Sequence, residues 1–142
     1  MNKEKIAFIP RQYLAVIAVL LAIMMSVLDG TIMNIALPTL AHDFDVTPST
    51  AIWIVNAYQL VITMTLLSFA SLGDIYGYRR IFLIGISIFV GASLACTLST
   101  SFWMLTAARV IQGFGAACVM SVNTALIRLI YPPQILGRGM GV

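Results

Sequence analysis

VLDGTIMNIALP, residues 27–38, ends a long apolar run and carries the only Asp, Glu, Lys or Arg residue between Arg11 and Asp43. That residue is Asp29. A carboxylate in the middle of a membrane span costs roughly 2.5–3.5 kcal/mol on insertion scales, so a chain that keeps one there has a use for it. Two interpretations are open. Asp29 caps a helix that breaks at Gly30, or it binds a proton or faces a cationic solute inside a helix bundle.

The composition indicates a protein that lies in the lipid bilayer. Of its 142 residues, 61% are hydrophobic and 9% are charged, and the mean hydropathy is +1.00. A soluble domain of this size needs a more polar exterior. Apolar runs of about 20 residues match the thickness of the hydrocarbon core. We predict an all-α membrane protein with four transmembrane helices, at residues 13–37, 49–72, 81–98 and 102–130.

The positions of Lys and Arg predict an orientation. Seven of the eight basic residues flank the apolar runs on one side: Lys3, Lys5, Arg11, Arg79, Arg80, Arg128 and Arg138. By the positive-inside rule, residues 1–12 form a cytoplasmic N-terminus, and residues 131–142 form a cytoplasmic loop and the start of an incomplete fifth span. We expect a multi-pass protein of the cell (inner) membrane. The scattered charges form no patch for nucleic acid.

Polar side chains on the first two spans fall on single helix faces. Asn56, Gln59 and Thr63 form one stripe on helix 2, and in lipid such side chains must face protein or water. They either contact a solute or hydrogen-bond between helices. Met33 shares a face of helix 1 with Asp29, where a methionine either adapts to ligands of varied shape or fills a gap.

Asp29 and Arg109 are expected at the same depth. Helix 1 runs outward and helix 4 runs inward, and counting from Leu37 and Phe102 places both charges about 10–12 Å below the external surface. Gln112 follows on the Arg109 face of helix 4. The sequence therefore predicts a sheltered pocket shared by the two charges. A permanently locked structural pair is the alternative to a carboxyl group that changes protonation.

The connections and packing positions are read from local signals. Pro38 and residues 41–50 are expected to form the first external loop, with Thr47 as the N-cap of helix 2. Residues 73–80 are predicted to form a tight cytoplasmic turn in which Asp74 accepts from backbone N–H groups or pairs with a neighbouring Arg. Helix 3 has no charge and looks like a scaffold span.

Helix 4 offers small residues for close helix contact at Gly113 and Ala117. Cys96 and Cys118 both fall inside predicted spans. We expect two free thiols that act as small apolar side chains.

Three motifs resemble those of a known family. Residues 28–38 (LDGTIMNIALP) are similar to the first-helix motif of the major facilitator superfamily, in its fourteen-helix drug:proton antiporter branch. Residues 72–80 (LGDIYGYRR) resemble its loop 2–3 signature, and residues 109–117 (RVIQGFGAA) resemble its fourth-helix motif. The order and separation are those of the family. The resemblance implies that the four helices form part of the N-terminal six-helix bundle of a major facilitator fold.

The resemblance also implies roles for individual residues. Asp29 would be the protonation or cation-sensing group, and Arg109 would tune proton transfer beside Gln112. The predicted proton-coupling and substrate cavity consists of Asp29, Met33, Asn34, Asn56, Gln59, Arg109 and Gln112. The predicted gating loop consists of Gly73, Asp74, Gly77, Arg79 and Arg80, and the predicted helix-packing positions are Gly113, Gly115 and Ala117.

The loop departs from the family pattern at three positions. Ala70 stands where the signature usually has its first Gly, and Ile75 and Tyr78 stand where basic residues are common. These differences imply a weaker latch, or one that depends on Arg79 and Arg80 alone.

Together these features predict the N-terminal part of a proton-coupled secondary transporter of the multidrug efflux type, exporting small amphipathic or cationic compounds. Its partners would be the small-molecule substrate, the lipid bilayer and the remaining helices of the full-length transporter, and it would use the proton gradient and no cofactor. Alternating access needs two bundles, so we expect the four helices to be inactive alone. A complete four-helix pump acting as a homodimer and a non-transporting membrane assembly subunit are the alternatives.

We do not expect an enzyme. One intramembrane acid and the lone His42 provide neither a catalytic dyad nor a set of metal ligands.

Overall fold

The computed structural model describes the backbone of residues 11–130 and the side chains of residues 17–122. This range contains four helices and no strand: α1 (Arg11–Asp43), α2 (Pro48–Tyr76), α3 (Tyr78–Thr97) and α4 (Phe102–Ile130). Each is long and apolar enough to cross a membrane. The prediction of four transmembrane helices in an all-α fold is confirmed. Residues 131–142, predicted as a loop and an incomplete span, and residues 1–10 of the predicted N-terminus lie outside the described residues.

Helix α4 is the centre of the described bundle. It packs along α3 on one side and α2 on the other, whereas α1 makes its main contacts with α2 and α4. Within the apolar spans, 67% of α4 is buried, compared with 11% of α1 and of α2. A polar side chain on α4 is therefore shielded on two sides by neighbouring helices.

Helices α3 and α4 meet at two glycines that lack the Cβ atom that would separate them. A Cβ atom on Gly115 would lie 2.6 Å from the backbone nitrogen of Phe89 and 2.8 Å from the carbonyl oxygen of Gly85. A Cβ atom on Gly85 would lie 2.5 Å from that of Cys118. Small residues permit such close approach of helices in lipid. Gly85 is not among the packing residues predicted from the sequence.

The other two predicted packing residues also lie at helix contacts. A Cβ atom on Gly113 would lie 3.0 Å from the carbonyl oxygen of Tyr58, so this glycine brings α2 close to α4. Ala117 is fully buried. The small residues of α4 thus serve two neighbours, α2 through Gly113 and α3 through Gly115.

The end of α1 corrects the predicted first loop. The helix continues through Pro38 to Asp43, six residues beyond the predicted end of the span. Proline removes one helical hydrogen bond, and membrane helices tolerate this loss where neighbours support them. That support comes from Leu40, which packs with Phe44 and Val46 against a buried cluster of α2 and α4 residues.

Residues 44–47 then reverse the chain between α1 and α2. Asp45 adopts a left-handed conformation (φ 51°), the Val46 N–H donates to Ala41 O at 3.0 Å, and the Asp45 N–H donates to His42 O at 3.2 Å. This pair of bonds closes the last turn of a helix. The predicted cap is confirmed, because the Thr47 side chain accepts from the backbone N–H of Thr50 ahead of Pro48 at the first helical position.

The prediction of a turn over residues 73–80 is wrong. Gly73–Tyr76 belong to the last turn of α2, and α3 begins at Tyr78 rather than at residue 81. Only Gly77 lies between the two helices, with φ 91°, a conformation that side chains disfavour. A Cβ atom on Gly73 would lie 2.7 Å from the Tyr78 ring, so the glycine leaves room for that ring.

Candidate functional site

The structure brings Asp29 of α1 and Arg109 of α4 into direct contact. Arg109 Nη1 donates to Asp29 Oδ2 at 2.6 Å. The Arg109 side chain is 4% exposed and the Asp29 side chain 20% exposed, so the pair is largely withdrawn from the surface. Because α1 is continuous through Gly30, Asp29 does not cap a broken helix, and the first of its two interpretations is wrong.

Gln112 completes a closed triangle of hydrogen bonds. Its Oε1 atom accepts from Arg109 Nη1 at 3.0 Å, and its Nε2 atom donates to Asp29 Oδ1 at 3.1 Å. Gln112 is fully buried and lies one turn after Arg109 on α4. Both oxygens of Asp29 therefore accept hydrogen bonds from side chains of α4.

This arrangement joins a carboxyl group on α1 to a guanidinium and an amide on α4. A proton on Asp29 removes the charge that Arg109 pairs with and adds a hydroxyl donor where Arg109 or Gln112 now donates. A protonated carboxyl group keeps acceptor capacity at its oxygens, so what it loses is the pairing of opposite charges.

Tyr58 lies against the other side of Arg109. The guanidinium carbon is 5.7 Å from the centre of the Tyr58 ring, within the range of a cation–π contact. From the sequence alone, Tyr58 is predicted to be a packing or interface residue rather than a ligand contact. Counting depth from Pro48 places it within about one turn, roughly 5 Å, of Arg109, and this signal could have found it.

Cys96 of α3 also belongs to the site. Its Sγ atom donates to Gln112 Oε1 at 3.7 Å, so this thiol does more than fill apolar space. Cys118 is buried against Ile81 and Val122, as expected of an apolar thiol. All four described helices therefore contribute a side chain to the cluster.

An open cleft of about 490 Å³ lies beside the ion pair, between α1, α3 and α4. Asp29, Met33 and Arg109 line it, together with Asp43, Ser93 and Thr97 among others. The volume falls in the range of small-molecule sites.

Three of the predicted cavity residues lie elsewhere. Asn34, Asn56 and Gln59 are exposed, and none of them lines this cleft. The reason on α2 is geometric, since Ile54, Tyr58 and Ile62 occupy the face that packs on α4 and the polar stripe points away from it. A solute-binding role for these three residues stays a prediction.

The predicted gating loop is held by a hydrogen bond. The Tyr78 hydroxyl donates to Asp74 Oδ1, and within the described residues Asp74 forms no ion pair with Arg79 or Arg80. Both arginines are exposed. The residue that departs from the family signature, Tyr78, is thus the one that holds Asp74. The part of the chain that the structure describes contains no group of His, Cys, Asp and Glu that could bind a metal ion.

Comparison with known proteins decides the family. The model of the Major Facilitator Superfamily matches residues 19–142. The chain belongs to the Major Facilitator Superfamily. Its four apolar helices are therefore those of an integral, multi-pass membrane protein.

Three relatives are similar over nearly the whole chain but only part of their own length. The uncharacterized transporter YebQ of Escherichia coli K12 is 58% identical over 94% of this chain and 29% of its own. The riboflavin transporter RibZ of Clostridioides difficile is 35% identical over 93% and 29%, and the drug efflux pump JefA of Mycobacterium tuberculosis is 40% identical over 92% and 26%. This major facilitator chain spans less than a third of these relatives. No solved structure gives a significant match.

Proposed function

We propose that this chain forms the proton-coupling part of a secondary transporter that exports small amphipathic or cationic compounds. The observation that carries the proposal is the triangle of Asp29, Arg109 and Gln112, because it joins an intramembrane acid on α1 to two side chains of α4. Intramembrane acids are typical of proton relays and solute pathways.

The direction and the substrate class are supported less directly. Relatives are named drug efflux pump JefA and multidrug resistance protein Stp, which favours export, whereas RibZ is named for riboflavin. The proposal of a cationic or amphipathic substrate therefore depends on the cleft, where Asp29 and Asp43 supply negative charge and Met33 supplies an adaptable apolar surface.

In the same proposal, the α2–α3 junction is a cytoplasmic latch. One state of an alternating-access cycle would be held by Gly73, Asp74, Gly77, Arg79 and Arg80. The protein would lie in the inner membrane of the cell, with its N-terminus in the cytoplasm. The hydrogen bond from Tyr78 to Asp74 would take the place of an ion pair in that latch.

Asp29→Asn tests the coupling in the full-length protein. We expect loss of efflux driven by a pH gradient across everted membrane vesicles, because asparagine binds no proton at this position. Asp45→Asn is the matched control: it removes an exposed carboxylate in the turn that follows α1, and asparagine accepts the left-handed backbone there. Undiminished pH-driven efflux in Asp29→Asn would rule out proton coupling at this residue.

A further inference from the structure

Arg109 has a hydrogen-bond donor that the ion pair leaves unused. Both of its described hydrogen bonds start from Nη1, one to Asp29 and one to Gln112. Its Nε atom is buried and has no hydrogen-bond partner among the described residues. A buried donor without a partner is costly, and more so on a charged side chain, so buried polar groups in folded proteins nearly always have one.

The surroundings of Nε limit what that partner can be. The Tyr58 ring contacts the guanidinium through its face, with the guanidinium carbon 5.7 Å from the ring centre, and this contact is not a hydrogen bond to Nε. Because Nε is buried, neither bulk solvent nor lipid nor a helix packed on the outside of the described bundle can reach it. The partner must therefore lie inside the bundle, and it must be small.

A small cavity lies against Arg109 between α1, α2 and α4. Its volume is about 10 Å³, which is close to the space that a single water molecule needs. The residues that line it are Gly30, Met33, Ile54, Val55, Tyr58 and Arg109. The cleft of about 490 Å³ opens between α1, α3 and α4 instead. Arg109 thus has the cleft on its α3 side and the small cavity on its α2 side.

The wall of the small cavity suits a water molecule. Gly30 has no side chain, so its main chain forms that part of the wall, and a helical carbonyl oxygen keeps a second lone pair. Tyr58 is the other lining residue with a polar side-chain group, besides Arg109. A buried water needs two to four such partners. A cation would be repelled by the guanidinium, and an anion would add a second negative charge beside Asp29.

We propose that this cavity is a binding site for one water molecule, which accepts a hydrogen bond from Arg109 Nε. The polar cluster between the helices then consists of the side chains of Asp29, Arg109 and Gln112 and a bound water that α2 helps to enclose. This site goes beyond the transport function proposed above and does not depend on it, because the buried guanidinium needs the acceptor whether or not Asp29 changes its protonation.

Val55→Ile tests the site through the thermal unfolding of the purified full-length protein. Val55 lines the cavity, and isoleucine adds one methylene group to its wall. The methylene displaces the proposed water, Nε loses its acceptor, and we expect a lower melting temperature. A dry cavity predicts the opposite sign, because filling an apolar void stabilises a protein. Val27→Ile is the matched control, since Val27 is 58% exposed on α1, and its melting temperature should equal that of the wild type.

Arg109→Lys separates the loss of a water from simple overpacking. The lysine Cε atom takes the place of Nε and the positive charge is kept, so no donor faces the cavity at that position. In this background we expect Val55→Ile not to lower the melting temperature. An equal decrease in both backgrounds would indicate overpacking and overturn the inference. An unchanged or higher melting temperature for Val55→Ile alone would also overturn it.

A structure of the full-length protein that resolves ordered water gives a test that needs no variant. We expect a peak in the cavity at about 2.7–3.2 Å from Arg109 Nε. An Nε atom that donates to a protein group, or a cavity without a peak in a map that shows other buried waters, would contradict the proposed site. Neither measurement involves transport. Failure of proton coupling at Asp29 would therefore leave both results as expected here, and the two proposals can fail separately.

Discussion

Arg109 and Asp29 each carry a charge that an apolar bundle tolerates only because the other is present. Arg109→Gln leaves the carboxylate beside a neutral amide, and removing one partner of a buried pair lowers the free energy of unfolding by about 3 kcal/mol or more. Asp29→Asn combined with Arg109→Gln removes both charges and keeps polar groups that bond to each other. We expect the double variant to recover most of the loss, measured by thermal unfolding of the purified protein.

Arg79→Gln is the control for this cycle, because Arg79 is exposed and outside the ion pairs of the described residues. Its effect should stay within about 0.5 kcal/mol. A double variant no more stable than Arg109→Gln alone would show that the two charges do not compensate each other.

The sequence predicted the meeting of these two residues because charges are rare in membrane spans and depth follows from counting residues. Tyr58 and Cys96 were not assigned to the site, because apolar and aromatic residues are common in membrane spans and do not stand out there. An aromatic residue at apolar spacing and a thiol inside a span both satisfy the pattern of a packed helix. Only the contact across helices, with Arg109 in one case and Gln112 in the other, reveals a second role.

At the level of helices, the contact of α3 with α4 depends on the missing Cβ of Gly115. Gly115→Ala places a methyl group 2.6 Å from a backbone nitrogen of α3. The backbone cannot relieve this clash by changing rotamer, as a side chain could. We expect a loss of about 1–3 kcal/mol in the free energy of unfolding, seen as a lower melting temperature.

Gly91→Ala is the matched control on α3. Apart from its chain neighbours and the backbone of its own helix, no described atom lies within 4 Å of the position its Cβ would take, so alanine adds helix propensity without a clash. Its melting temperature should equal or exceed that of the wild type. If the Gly115→Ala protein is as stable as the Gly91→Ala protein, the close contact of α3 with α4 at Gly115 does not contribute to stability.

The ends of the helices were harder to predict than their existence. Pro38 and Gly73 are both strong local signals for a break, yet the helices continue through both. Leu40 and its neighbours hold the end of α1 on a buried cluster, and the Tyr78 ring packs over Gly73 at the end of α2. Packing of this kind joins residues that are far apart in sequence, so a local pattern does not show it.

At the scale of the whole molecule, the family followed from three motifs, but the substrate does not follow from the described part. The stripe containing Asn56 and Gln59 is exposed, and the large apolar side chains of α1 and α2 are exposed with it. The chain spans less than a third of the length of these relatives. The contacts of these exposed faces therefore depend on the whole protein.

The orientation of the bundle is testable without knowing the substrate. The positive-inside rule predicts that the α2–α3 junction, with Arg79 and Arg80, faces the cytoplasm and that the α3–α4 loop faces out. In a background with Cys96→Ser and Cys118→Ser, a membrane-impermeant thiol reagent should label Thr100→Cys in intact cells and should label Tyr76→Cys only after the membrane is opened. Both positions are exposed, so access through the membrane is the difference between them. Because serine retains a donor toward Gln112, the background preserves the cluster. Labelling of Tyr76→Cys but not of Thr100→Cys in intact cells would show the orientation opposite to the predicted one. Asp29 would then lie in the inner half of the bilayer rather than in the outer half.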